Sequence, residues 1–132
     1  MGIAMSLQMT TRTFAGVLIV ACSGRLVLGE ESANLRHLVR DHLTENKQIV
    51  IDLGNVSYID SSGLGVLVSL YTTAQKAGGG IKLAKLNPFL RDMLQITRVY
   101  TVFEVFDRPE DAAVSFNANA GQSVPGEWPL DN

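Results

Sequence analysis

The chain has 132 residues, of which 46% are hydrophobic, and a formal net charge of −2 with two histidines and a single cysteine. That length suits one domain with a substantial core. The balanced charge, with no Lys/Arg cluster, leaves no footprint for direct nucleic-acid binding. A lone Cys22 within an apolar run excludes an internal disulfide and reads as the buried thiol of a reduced, cytoplasmic protein. The first ten residues lack the basic and apolar parts of a secretion signal. No run approaches the ~18 apolar residues needed to span a bilayer, so no membrane attachment is expected.

In chain order, residues 1–5 read as a flexible N-terminus, and residues 6–14 and 17–28 as two strands joined by a hairpin turn at Ala15-Gly16. The second strand is more continuously apolar, as for a central strand covered on both faces. Leu35, Leu38, Val39 and Leu43 recur at helical spacing within 31–45. Ile49, Val50 and Ile51 form a short buried strand. A polar turn follows, and Leu64, Leu67, Val68, Tyr71 and Ala74 then line one face of a long helix stopped by Gly78–Gly80.

The next strand is expected at 81–86, with a short helix opening at Asn87-Pro88 in which Phe89, Leu90, Met93, Leu94 and Thr97 face inward. Val102 to Phe106 reads as a last strand and Pro109 to Phe116 as a terminal helix. From 117 to 132 the composition turns small, polar and rich in Pro and Gly, as in a disordered tail, with Trp128, the only tryptophan, inside it. The order β-β-α-β-α-β-α-β-α argues an α/β domain over 6–116.

The most informative segment is the polar turn, Asp60-Ser61-Ser62-Gly63, between an apolar strand and the long helix. A helix start presents unpaired N–H groups and partial positive charge, which suit an anionic group such as a phosphate. Asp60 can hold the turn through backbone amides or orient Ser61. Ser62 is the expected helix cap. Gly63 and Gly65 are expected to permit close backbone approach. On the residues alone, Ser61 too reads as part of a helix cap.

Asp52-Leu53, Val56-Ser57, Tyr58-Ile59, the run Asp60-Ser61-Ser62-Gly63-Leu64-Gly65, and the three glycines before IKLAKL resemble a STAS domain of the bacterial anti-sigma factor antagonist type. That resemblance implies a central mixed sheet of about five strands with about four helices, packed mainly on one face. It also implies a regulatory phosphoprotein: an anti-sigma serine kinase as partner, phosphorylation on Ser61, reversal by a phosphatase, and release of a sigma factor for stress-response transcription. Asp60, Ser61, Ser62, Gly63 and Leu64, with Gly24 and Arg25 from the end of the second strand, are the implied partner surface. A monomer or weak dimer is implied. Val27 stands where the family often carries an acidic residue, which motivates an alternative: a non-switching STAS scaffold or sensor-complex module.

Enzyme chemistry finds little to stand on. Ser61 lacks the flanking glycines of a nucleophile elbow. His37 and His42 are five residues apart on one helix, and Cys22 has no partner cysteine, so neither a catalytic triad nor a metal site is expected. The Walker phosphate loop is missing, and no cofactor is expected. Asp52 and Asp60 read as a strand end and a turn stabiliser, not as an acid/base pair.

Overall fold

The computed structural model describes residues 7–27 and 29–117; the expected N-terminal segment, and the tail with Trp128, lie outside them. Strands β1 (Gln8–Phe14) and β2 (Val17–Leu26) form an antiparallel hairpin, turned by Ala15 and Gly16 at positive φ. Helix α1 (Glu30–His42), strand β3 (Gln48–Ile59), helix α2 (Ser61–Lys76), strand β4 (Gly80–Ala84), helix α3 (Pro88–Ile96), a single 3₁₀ turn (Val99–Thr101), strand β5 (Val105–Phe106) and helix α4 (Pro109–Asn117) follow. The five strands lie in the order β1-β2-β3-β4-β5, parallel except for the β1–β2 pair. Both the mixed sheet and the count of four helices agree with expectation.

The sheet's two faces are buried by different partners, because side chains alternate along each strand. Leu18, Val20, Cys22, Ile49, Ile51, Leu53, Ile81 and Leu83 pack with the apolar sides of α1, α2 and α3. On the other face Val17, Ile19, Val50 and Ala84 meet Ala112 and Ala113 of α4, with Phe106 and Phe116 at the margin. Helices therefore sit three to one, and the small alanines let α4 lie close to the sheet. Arg12 on β1 reaches Glu110 at 2.8 Å, and Lys82 on β4 reaches Glu104 at 3.0 Å and Ser115 Oγ at 2.7 Å, fastening α4 and its approach to the sheet.

Several boundaries differ from the sequence reading. β3 runs on to Ile59, instead of stopping near Ile51, because its polar continuation keeps pairing with β2 through two register shifts. Asp52 is therefore mid-strand, its carboxylate accepting from the Gly54 N–H at 2.8 Å. β4 stops at Ala84, where Lys85 turns to positive φ, and Val102 lies before β5 instead of within it. Phe89 and Thr97 are exposed instead of facing inward; only Leu90 and Leu94 of α3 are fully buried. Asn117 belongs to α4, and its side-chain amide donates to Ala15 O at 3.0 Å. The glycine stop after α2 is as expected. Gly78 takes φ +87, and the Gly79 N–H donates to Ala74 O at 2.8 Å, in the manner of a helix C-cap.

Candidate functional site

The site is built where β2 and β3 end and α2 begins. Asp60 is extended (φ −107°, ψ −176°) and caps α2: its Oδ1 accepts from the Gly63 N–H at 2.8 Å. Its own N–H donates to Leu26 O at 3.3 Å, which ties the turn to the last residue of β2. The cap is therefore Asp60 and not Ser62, and α2 starts at Ser61 instead of Leu64. The physical reason is reach: only the residue just before the helix holds an extended backbone that turns its side chain onto the third helical amide.

Ser61 is consequently the first helical residue, and it is exposed; Ser62 is half-buried, and Gly63 and Leu64 are buried. The amides of Ser61 and Ser62 precede the first N–H that can find an intrahelical acceptor. The first turn of α2 itself carries no acidic residue, and the negative charge already at this helix start is the Asp60 carboxylate, which is bonded to the Gly63 N–H. Gly63 sits so close to β2 that a Cβ would fall 2.2 Å from Leu26 O and 2.8 Å from Ile59 Cγ1. Gly65 behaves differently from expectation: a Cβ there would meet nothing within 4 Å.

Gly24 and Arg25 come to the same end of the molecule through the β2–β3 ladder, opposite Val56 and Tyr58. Gly24 has φ +113°, a conformation that favours glycine, and its carbonyl accepts from Ser57 Oγ at 3.3 Å. The Arg25 guanidinium lies 5.1 Å from the Tyr58 ring centre, and Tyr58 stacks on Phe89 at 5.3 Å. Tyr58 and Phe89 are each 39% exposed, so a cation and two aromatic faces form a ledge at this end of the sheet. Asn87 supports it from below: its Oδ1 accepts from the Leu90 N–H at 2.8 Å and its Nδ2 donates to Val56 O at 3.0 Å.

All seven expected site residues thus belong to one end of the sheet, joined by the Asp60–Leu26 bond and the β2–β3 register. In the sequence Asn87 and Phe89 carry only structural expectations, a helix opening and an inward face, and Tyr58 enters only through the motif. Tyr58 is exposed beside Ser57 between the buried Val56 and Ile59, an aromatic ring left on the surface of the strand. Val27 is half-buried and its carbonyl accepts the Ser32 hydroxyl, so the turn after β2 is closed by a neutral bond. Away from the site, burial, and then the charge of Asp52, push the Cys22 thiol up to about 12.

A mixed sheet flanked three to one by helices, with an exposed serine at a capped helix start, defines a small α/β domain. The chain belongs to the STAS domain family, whose model matches residues 8–112. An anti-sigma F factor antagonist of Paenibacillus polymyxa is 29% identical over 111 residues, covering 82% of this chain and 93% of that protein. The crystal structure of an anti-sigma factor antagonist from Mycobacterium paratuberculosis superposes with a TM-score of 0.75 at 22% identity, covering 89% of this chain and all of that one (100%). The phosphorylated form of the Bacillus cell-fate determinant SpoIIAA superposes with a TM-score of 0.62 at 17% identity, covering 83% of this chain and 97% of that one. Among the described residues no helix is long and apolar enough to cross a membrane.

Proposed function

We propose that this chain is a cytoplasmic anti-sigma factor antagonist controlled by phosphorylation. Unmodified, it binds an anti-sigma serine kinase and so releases a sigma factor. Phosphorylation of Ser61 ends that contact, and a phosphatase restores it. The chain is ligand and substrate, and the catalysis belongs to its partners. Asp60, Ser61 and Ser62, with Gly24 and Arg25, form the contact surface, and the buried Gly63 and Leu64 back it from the core instead of touching the partner as expected, in a monomer or weak dimer. The names of its relatives support this reading, and the observation that carries it is Ser61 itself: exposed, first in α2, and framed by the Asp60 cap.

The physics of the turn favours a switch without refolding. A phosphate adds roughly −1.5 to −2 charges and three strong acceptor oxygens. The helix start tolerates that charge within the domain, while a docked surface meets new bulk and charge at its centre. A loss of about 3 kcal/mol in binding is more than a hundredfold in affinity. The neutral turn at Val27 favours the alternative, a STAS scaffold with no turnover at Ser61.

Incubation with ATP and the anti-sigma-type kinases of its own organism, followed by peptide mass spectrometry, separates the two. The switch predicts phosphate on the Ser61 peptide and none in Ser61→Ala. It also predicts that Ser61→Asp binds the kinase at least about a hundredfold more weakly with its melting temperature kept. An unmodified Ser61 with full peptide coverage, or Ser61→Asp binding as tightly as the parent, leaves the scaffold.

A further inference from the structure

We infer that β1 is a dimer interface: two copies of the chain pair their β1 edges antiparallel, about a two-fold axis at Thr11, and so join their sheets into one. The inference goes beyond the reading above, because Ser61 takes no part in it. β1 stands at the end of the strand order, and no described strand pairs with its outer side. The opposite edge, β5, has only two residues. β1 has seven, about 24 Å of strand at the usual rise.

The hairpin fixes which backbone groups face outward. Ala15 and Gly16 both take positive φ, 54° and 78°, as in a type I′ turn, so Phe14 and Val17 close it as a hydrogen-bonded pair. Such pairs alternate along an antiparallel ladder, and the β1–β2 register runs unbroken from Gln8–Ser23 to Phe14–Val17. Gln8, Thr10, Arg12 and Phe14 therefore bond to β2. Met9, Thr11 and Thr13 turn their N–H and C=O groups outward, where no described residue meets them. Edges are commonly blunted by lysine, proline, a bulge or a covering element. β1 has no lysine, proline or bulge, and its one charge, Arg12, is tied back to Glu110 of α4 at 2.8 Å. Thr10, Thr11, Thr13 and Phe14 are exposed residues of strong strand preference.

What completes such an edge is another strand, and the pattern of β1 selects its own copy. Pairing about Thr11 sets Thr11 opposite Thr11, Met9 opposite Thr13 and Thr10 opposite Arg12. The outward-facing residues of both copies then exchange about six backbone bonds, and no like charges meet. Centring on Arg12 instead would bring two guanidinium groups face to face. A β1-to-β5 contact would run on as a filament, but two residues of β5 cannot hold it, so the two-fold pairing is the one that closes. The Ser61 turn follows β3, two strands in from this edge, so the pairing does not include it.

The test follows the full chain by analytical ultracentrifugation from about 1 µM to about 1 mM. We expect a reversible dimer whose dissociation constant rises at least about tenfold in Thr11→Pro and in Thr11→Lys, with the melting temperature kept. Proline at this position removes an outward N–H and spares the β1–β2 ladder, while two lysines would face each other across the axis. Oxidised glutathione should cross-link Thr11→Cys into a dimer, because hydrogen-bonded partners have Cα atoms about 5.5 Å apart, within disulfide reach. Thr10→Cys lies opposite Arg12 of the second copy, out of reach of its own counterpart, and should stay uncross-linked. The native Cys22 is buried and does not compete. A chain monomeric to about 1 mM overturns the proposal and leaves the edge to a strand of another protein. A dimer as tight in Thr11→Lys as in the parent, assembly beyond the dimer, or equal cross-linking of the two cysteine variants overturns it too. If Thr11→Pro fails to fold, Thr11→Lys and the cysteine pair decide.

Discussion

A methyl group at Gly63 has nowhere to go: Leu26 O would lie 2.2 Å away, and it is backbone, so β2 and α2 must separate. Gly63→Ala is expected to cost about 1–3 kcal/mol in urea unfolding, the range of an overpacked core. Gly65→Ala meets nothing and replaces a mid-helix glycine, so it should stabilise by about 0.5–1 kcal/mol. Opposite signs for two glycines in one motif are a stringent check on the geometry. Asp60→Ala removes the acceptor for the Gly63 N–H and should cost about 1 kcal/mol. The motif itself was plain in the sequence. Which residue caps, and which glycine is crowded, was not, because both depend on where β2 ends beside the turn.

Among the elements, β3 shows how tertiary pairing extends a strand past its apolar signal. Ile49 to Ile51 is legible as a buried strand, whereas residues 54–58 are mostly polar and read as a loop. Pairing with β2 as far as Leu26–Ile59 supplies the hydrogen bonds that make those residues a strand, and it sets Tyr58 beside Arg25. α3 is fastened to that extension through Asn87, which caps its own helix and donates to Val56 O. Asn87→Ala is expected to cost about 1–2 kcal/mol, since a cap and a side-chain bond are lost together. Asn87→Asp keeps the cap acceptor and loses the donor, so it should fall between the two in the same unfolding series. Hydrogen exchange at the start of α3 should quicken in Asn87→Ala more than in Asn87→Asp.

At the scale of the whole molecule, the sheet divides the core into a large compartment under α1 to α3 and a small one under α4. Cys22 lies in the large one, and its thiol is pushed from 9.0 up to about 12, first by burial and then by Asp52. A raised thiol pKa gives stability that is complete below about pH 9 and is lost as pH rises towards 12. The parent should therefore lose stability faster than Cys22→Ala across that window in chemical denaturation. Native Cys22 should also resist thiol reagents at neutral pH and react once the chain is unfolded. The α/β class of the domain, the order of its elements and a serine turn next to α2 are legible in the residues themselves. Those rest on local periodicity, glycine stops and a contiguous motif, which neighbouring residues carry without help from afar. The tertiary structure alone decided the Asp60 cap, the crowding at Gly63 and the Arg25–Tyr58–Phe89 ledge. Each joins residues from separate elements, and such contacts exist only once strand register and helix packing bring them together.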